Sequence, residues 1–305
     1  MSHAAFTPIH LHTSGGGQVA ARVFEPPAGA AAAMQVVIGP AMGVPQQRYA
    51  DFAAWLAGQG ARVLTFDYRG QFASLALLGA PSASLRGVQA TLDDWRDDYE
   101  AAVAWLHARG AAPLLIGHSM GAQLPGLFAQ PQQVGGLLMV AAGSGYWREN
   151  APALRLRALL MWHALVPVLT PLWGYFPGKR LGAVGDLPAG VIRQWRRWCL
   201  HPRYSGAEGP QALARYARVR YPIRALSVAD DEMMTLQGTQ SLLGLYAGAP
   251  RQLERVAPAD HGLSRIGHLG WFHPRFAGTL WPHTWQALRA LAASPPQGNA
   301  GAPTV

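Results

Sequence analysis

The sequence predicts an α/β protein with a mostly parallel central sheet, helices on both faces and an inserted helical cap. Short apolar runs alternate with helical patterns up to residue 142, the alternation fails over residues 143–214, and it returns over residues 215–291. Half of the 305 residues are hydrophobic, so a sizeable core can be buried. We therefore expect one core formed by residues 1–142 and 215–291, a cap at 143–214 and a disordered tail at 292–305.

The first elements predicted are a hairpin and a strand followed by a helix. Residues 9–23 alternate in polarity around the turn Gly15-Gly16-Gly17, which predicts two antiparallel strands at the sheet edge. The apolar run 35–38 predicts a strand, and the helical spacing of apolar residues over 46–58 predicts the helix after it. Residues 62–66 predict the next strand.

The remaining core elements follow the same alternation. Thr91 is a suitable N-cap for a helix whose apolar face begins at Trp95, and residues 114–116 form the next apolar run. Three more short apolar runs are predicted as core strands with both faces covered by helices, at residues 137–141, 223–228 and 253–256.

A nucleophile motif follows the 114–116 run. Gly117-His118-Ser119-Met120-Gly121 has the pattern G-x-S-x-G between a buried strand and a helix, the context of a nucleophile elbow. We predict that Ser119 is the nucleophile, that the Met120 amide donates to an oxyanion, and that His118 packs sideways and is not the base.

A second oxyanion donor is expected from the glycine-rich loop after residues 35–38. That loop reads Gly39-Pro40-Ala41-Met42-Gly43. Ala41 is the first choice for the donating amide and Met42 the second.

A serine nucleophile needs an imidazole base and an orienting carboxylate, which follow it in the order acid then histidine in this kind of site. Asp231 is the preferred acid because the residues after it have the expected polar and then apolar character, and Asp230 is the alternative. Of the histidines after the last predicted strand, His261 and His268 are the candidates for the base, with His273 a distant third, and spacing alone does not decide between the first two.

These motifs resemble those of the α/β-hydrolase superfamily, and more closely a group of poorly characterised bacterial hydrolases related to serine aminopeptidases and lysophospholipases. The likeness runs from about residue 36 to residue 276 and includes Asp67-Tyr68-Arg69-Gly70 and Ile266-Gly267-His268-Leu269-Gly270-Trp271-Phe272. The resemblance implies that His268 is the base. It also implies a serine hydrolase that cleaves a carboxylic ester or thioester, with an aminopeptidase or amidase as the near alternative.

Composition limits the other classes of function. The formal charge of +9 comes almost wholly from arginine and no nucleic-acid motif accompanies it, so a nucleic-acid partner is not expected. The partner that the resemblance implies is a small acyl substrate. A single cysteine, Cys199, and the lack of a histidine pair at the spacing of a zinc-binding helix argue against a metal, and no cofactor is predicted. The apolar stretch 158–173 is short for a membrane span and the N-terminus lacks a secretory signal, so we expect a cytoplasmic protein without stable membrane insertion.

The predicted cap is rich in tryptophan and arginine. Its aromatic side chains are suited to an apolar acyl pocket or to packing within the cap. Arg193, Arg196 and Arg197 fall on one side of a predicted helix, where they form either a solvated face or a site for a carboxylate or phosphate. A noncatalytic ligand receptor on the same fold is the alternative from another class of function.

Overall fold

The structure, a computed structural model, describes residues 5–79 and 84–294. Its main sheet has eight strands in the order β1-β2-β4-β3-β5-β6-β9-β10, and β7 and β8 form a separate two-stranded sheet. The strands are β1 (Thr7–His12), β2 (Gln18–Phe24), β3 (Met34–Gly39), β4 (Ala61–Phe66), β5 (Leu114–His118), β6 (Gly136–Val140), β7 (Tyr175–Pro177), β8 (Asp186–Pro188), β9 (Ile223–Val228) and β10 (Arg251–Val256).

The helices lie on both faces of the sheet and in the segment between β6 and β9. The α-helices are α1 (Ala50–Gly58), α2 (Phe72–Ala76), α3 (Leu92–His107), α4 (Met120–Gln123), α5 (Pro152–Leu160), α6 (Val166–Trp173), α7 (Ala189–Leu200), α8 (Pro210–Arg218), α9 (Leu236–Leu245) and α10 (Leu280–Ala293). Short 3-10 helices cover Gln46–Tyr49, Leu124–Leu127, Pro131–Gln133, Trp147–Glu149, Gly178–Leu181, Tyr204–Glu208, Pro258–His261 and Pro274–Phe276.

The predicted fold class is confirmed. Strands β3, β4, β5, β6, β9 and β10 pair in parallel, whereas β1 and β2 form the antiparallel hairpin expected at the sheet edge. Side chains of β3 alternate between two apolar cores: Val37 packs on the side of α3, and Val36 and Ile38 pack on the side of α1 and α10. This alternation is what a strand covered by helices on both faces requires.

One strand differs from its prediction. β10 was expected among the fully covered core strands, but it is the edge strand of the sheet and only Val256 is buried along it. Its sequence, Arg-Gln-Leu-Glu-Arg-Val, places charged side chains beside Leu253, and charges are typical of exposed edges.

The segment between β6 and β9 contains α5 to α8 and the hairpin of β7 and β8. The boundary expected after residue 214 would cut α8, which continues to Arg218. At the other end of the core, α10 continues to Ala293, so the expected tail begins later than residue 292. The rest of that tail, residues 295–305, lies outside the described residues.

Helices α5 and α6 are joined by one π-helical turn, Met161–Leu165, into a continuous helix over Pro152–Trp173. Pro167, the second residue of α6, has no amide hydrogen to donate to the preceding turn. This favours the change from α-helical to π-helical geometry just before it. The 22-residue helix is long and apolar enough to cross a membrane, judged by length and composition alone. The helix is longer than the apolar stretch 158–173 because it begins at Pro152 and includes Arg155 and Arg157.

A buried ion pair fixes the loop after β4 against α3. The Asp98 carboxylate accepts hydrogen bonds from the Arg69 amide at 2.7 Å and from Arg69 Nη2 at 2.8 Å. The Trp95 indole donates to the Arg69 carbonyl oxygen at 3.0 Å. Asp98 is thus the fully buried carboxylate partner of the guanidinium, which also pairs with the more exposed Asp94 at 2.9 Å. Both aspartates belong to α3, so this helix holds the Asp67-Tyr68-Arg69-Gly70 motif in place.

Replacing Asp98 with alanine should lower the free energy of unfolding by about 3 kcal/mol, because it leaves a buried guanidinium without its main partner. Urea unfolding followed by circular dichroism measures the change. Asp97→Ala is the matched control: Asp97 pairs with Arg96 at the protein surface, and its loss should cost about 1 kcal/mol or less. Equal effects of the two substitutions would show that the buried pair contributes no more than the surface pair.

Candidate active site

Ser119 occupies the sharp turn between β5 and α4. Its backbone has φ of +51° and ψ of −111°, a conformation that costs about 1–3 kcal/mol for a residue other than glycine. A Cβ atom on Gly117 would lie 2.5 Å from Ala122 Cα, and one on Gly121 would lie 2.0 Å from the Gly39 carbonyl oxygen. Both glycines of the motif are therefore required by close backbone packing at the turn.

Asp231 and His268 are in direct contact. Asp231 Oδ2 lies 2.8 Å from His268 Nδ1, and both side chains are almost completely buried. Asp231 Oδ1 accepts hydrogen bonds from the Met233 and Met234 amides at 2.7 and 2.8 Å. A carboxylate in this position assigns the hydrogen of the neutral ring to Nδ1 and leaves Nε2 as the basic nitrogen. His268 lines the same cavity as Ser119, and no hydrogen bond joins their side chains.

The two acidic neighbours of Asp231 bind the backbone that carries His268. Asp230 accepts hydrogen bonds from the Ile266 and Gly267 amides at 2.9 and 3.2 Å. Glu232 Oε2 accepts a hydrogen bond from the His268 amide at 3.1 Å. The alternative acid, Asp230, therefore positions the loop that carries His268, a role that no sequence pattern indicates for it or for Glu232.

His261, the alternative base, lies elsewhere. It ends the short helix Pro258–His261, and its ring packs edge-on against His283 with the ring centroids 5.2 Å apart. His261 does not line the cavity that contains Ser119, so the structure brings only one of the two candidate imidazoles to the nucleophile.

The first choice for the loop oxyanion donor is wrong. The Ala41 amide donates to the Tyr49 hydroxyl oxygen at 3.0 Å and is therefore not available to a substrate. The amides of Met42 and Met120 have no hydrogen-bond acceptor among residues 5–79 and 84–294, and both residues line the cavity with Ser119. Met42, the second choice, and Met120 are thus the residues whose amides are free to bind an oxyanion.

A buried hydrogen-bond relay connects three loops of the site. The His118 ring makes two contacts, from Nδ1 to the Tyr49 hydroxyl at 2.8 Å and from Nε2 to the His268 carbonyl oxygen at 2.9 Å. Burial lowers the pKa of His118 to about 3, with a smaller contribution from His268, so the ring is neutral near pH 7. Since a carbonyl oxygen only accepts, Nε2 carries the hydrogen, Tyr49 donates to Nδ1, and the Tyr49 oxygen accepts from the Ala41 amide.

The cavity at Ser119 has a volume of about 630 Å³ and is lined mainly by apolar side chains. Three of the aromatic residues of the predicted cap line it: Trp162, Phe176 and Trp195. Among the described residues, the lining contains one arginine, Arg157, and no lysine, aspartate or glutamate. The shape and chemistry suit a substrate with an apolar group and, at most, an anionic end.

Comparison with known proteins agrees with this architecture. The family model described as "Serine aminopeptidase, S33" matches residues 30–256, a range that includes Ser119 and Asp231 and ends before His268. No curated protein matches the chain.

Many solved structures share the fold. A soluble variant of monoglyceride lipase from Saccharomyces cerevisiae superposes with a TM-score of 0.64 and 14% identity, covering 96% of this chain and 97% of that chain. The esterase domain from a Rhodothermus marinus protein has a TM-score of 0.53 and 16% identity, covering 94% and 98%. Est1E from Butyrivibrio proteoclasticus has a TM-score of 0.56 and 12% identity, covering 94% and 99%. At these identities the likeness establishes the fold alone.

The depressed pKa of His118 predicts a specific loss of stability in acid. The unfolded chain binds a proton at this histidine below about pH 6.5, whereas the folded chain binds it only near pH 3. The free energy of unfolding should therefore fall as the pH drops below about 6.5, by about 1.4 kcal/mol per pH unit for this one proton. Urea unfolding at pH 6.5 and pH 5 measures the fall.

His118→Gln isolates this contribution because all other titrating groups are shared with the native sequence. Between pH 6.5 and pH 5 the native protein should lose about 2 kcal/mol more stability than the variant. Parallel pH profiles for the two proteins would contradict a neutral buried imidazole.

Proposed function

Because the chain belongs to the serine aminopeptidase S33 family and is an α/β-hydrolase, we propose that it is a serine hydrolase that cleaves carboxylic esters or thioesters through an acyl-enzyme on Ser119. One observation carries the proposal: a histidine oriented by a buried carboxylate lines the same cavity as a serine held in an elbow. That combination is the requirement for activating a serine hydroxyl near neutral pH.

In the first half of the reaction, His268 Nε2 accepts the proton of the Ser119 hydroxyl while Oγ forms a bond to the substrate carbonyl carbon. The tetrahedral intermediate collapses as the bond to the leaving oxygen or sulfur breaks, and His268 returns its proton to that atom. Water then attacks the acyl-enzyme with His268 again as base, which releases the carboxylic acid and restores the serine. Asp231 keeps Nε2 basic and stabilises the imidazolium that forms.

The amides of Met42 and Met120 are the proposed oxyanion donors. Negative charge develops on the carbonyl oxygen in both tetrahedral intermediates, and each preorganised amide accounts for about 3 kcal/mol of the stabilisation. Met120 is the first residue of α4, so its amide has no partner within that helix. Met42 is followed by Gly43, which has φ of +70° and allows the loop to turn back.

The cavity favours an ester over a peptide substrate. An aminopeptidase must bind the free ammonium group of its substrate, which normally requires a carboxylate. No aspartate or glutamate lies among the described residues of the lining, and its one charged side chain, Arg157, is a cation. The fold neighbours described as esterases and as a lipase also support ester cleavage.

A comparison of two chromogenic substrates tests this preference. We expect the protein to turn over p-nitrophenyl butyrate and not alanine p-nitroanilide.

A fluorophosphonate probe tests the nucleophile. The native protein should be labelled on a single serine, and Ser119→Ala should abolish labelling, because among the described residues Ser119 is the only serine that lines the cavity with His268. With p-nitrophenyl esters, His268→Ala and Asp231→Asn should each lower kcat by at least about a thousand-fold.

The matched controls are His261→Ala and Asp260→Asn, which alter the same types of side chain outside the cavity and should change kcat less than about two-fold. A folded protein that is never labelled and never turns over an ester would support the noncatalytic receptor instead.

The relay through His118 predicts a positioning effect on the oxyanion loop. Tyr49→Phe removes the acceptor of the Ala41 amide and the donor to His118 Nδ1. Ala41 precedes Met42, so the loop then loses the hydrogen bond that fixes its position next to Met42. We expect kcat to fall about ten-fold with little change in KM, less than the loss from deleting a donor outright. Steady-state kinetics with one ester measures both constants.

Tyr221→Phe is the matched control, because Tyr221 is a buried tyrosine with a single long hydrogen bond, 3.4 Å, to the Pro125 carbonyl oxygen. It should leave kcat unchanged. Similar kcat values for the two variants would rule out a role for the relay in placing the loop.

A further inference from the structure

We propose that the protein docks onto an anionic lipid bilayer through one face of the inserted segment. This docking face consists of the exposed apolar side chains of Leu156, Leu160, Val168 and Leu172 together with the guanidinium groups of Arg193 and Arg197. The face combines an apolar ridge, a positive charge and direct continuity with the mouth of the active-site cavity.

The apolar ridge runs along the helix Pro152–Trp173. Leu156 is 77% exposed, Leu160 57%, Val168 55% and Leu172 64%. They recur at intervals of four or eight residues and so form a stripe along the helix. Only 17% of the most apolar 18-residue window of this helix is buried. Exposed aliphatic side chains in such a row on a folded protein indicate an interaction surface.

The opposite side of the helix is attached to the protein. Trp162, Val166 and Thr170 are buried, and Ala158 and Met161 line the active-site cavity. A bilayer-spanning orientation would remove these side chains from their packing. A helix that is apolar on its outer side and anchored on its inner side is suited to lying in the plane of a membrane interface.

Positive charge surrounds the ridge. Residues 143–214 contain nine arginines and lysines but three aspartates and glutamates, and the helix itself carries Arg155 and Arg157 without a carboxylate. Such an excess of arginine beside an apolar ridge attracts a negatively charged lipid surface.

Three of these arginines, on α7, form a pocket against the same helix. Arg193, Arg196 and Arg197 line a cavity of about 270 Å³ together with Val166, Pro167 and Pro171. Arg197 pairs with Glu208 at 2.8 Å, whereas Arg193 forms no ion pair with any residue in the described ranges. Like charges this close repel one another, and a lipid phosphate would relieve that repulsion.

The same charge argues against a second copy of the chain as the occupant. A symmetric dimer formed through the docking face would bring the arginines of one copy near those of the other. Burying like charges in an interface is unfavourable, whereas anionic head groups provide both the counter-charge and an apolar layer.

The docking face is continuous with the active-site cavity. Leu160 belongs to the apolar ridge and also lines the cavity, and the exposed side chains of Leu181 and Leu269 lie in the same lining. A docked protein would therefore present its cavity mouth to the bilayer, where apolar acyl substrates are concentrated. This last consequence rests on the proposed function, whereas docking itself does not.

The test is co-sedimentation of the full chain with vesicles of phosphatidylcholine, with and without phosphatidylglycerol. Ser119→Ala protein is used so that catalysis does not enter the result. Binding is expected to the phosphatidylglycerol vesicles, to weaken as salt is raised, and to be much weaker with phosphatidylcholine alone. Combined Leu156→Ser and Leu172→Ser should weaken binding at least about ten-fold, and Arg193→Gln about five-fold.

The matched controls lie outside the inserted segment: Leu253→Ser on edge strand β10 and Arg289→Gln on α10, both exposed residues. They should bind vesicles like the parent protein. In protein that retains the native Ser119, the Leu156→Ser, Leu172→Ser and Arg193→Gln substitutions should leave turnover of a short soluble ester unchanged. This result separates docking from catalysis.

Binding that is absent from both vesicles, or that is the same in docking-face and control variants, would overturn the proposal. So would a stable dimer that loses its contact on Leu156→Ser and Leu172→Ser. Bound protein that resists extraction by alkaline carbonate would also overturn it, because it would indicate a membrane-spanning helix.

Discussion

The neutral imidazole of His118 is the contact on which the geometry of the site depends. It lies at the end of β5, immediately before Ser119, and bonds on one side to Tyr49 and on the other to the backbone of His268. Through Tyr49 the same relay reaches the Ala41 amide in the loop after β3. The turn at Ser119, the loop after β3 and the loop that carries His268 are thus joined by three hydrogen bonds whose directions follow from one ring tautomer.

The three consecutive acidic residues after β9 each bind a different part of the loop that carries His268. Asp231 orients the ring of His268, whereas Asp230 and Glu232 bind the backbone amides of residues 266–268. The histidine is therefore fixed from two directions, by its ring and by its main chain. Such support from surrounding groups fixes the orientation of the His268 ring in the cavity that Ser119 also lines.

Much of this arrangement could be predicted because it is local in sequence. The elbow at Ser119 has a short motif whose glycines are explained by packing, and the parallel strands follow from apolar runs. The wrong choice of Ala41 has a different origin: its amide is taken by Tyr49, and nothing within the loop's own sequence indicates that contact. Likewise, β10 was taken for a core strand because its position at the sheet edge depends on the order of all eight strands.

Mass spectrometry of protein quenched within the first turnovers of a p-nitrophenyl ester detects the covalent acyl intermediate proposed on Ser119. We expect a rapid burst of p-nitrophenol and an added acyl mass on the peptide that contains Ser119. Steady turnover with no acylated protein, or an acyl group on any other residue, would contradict it.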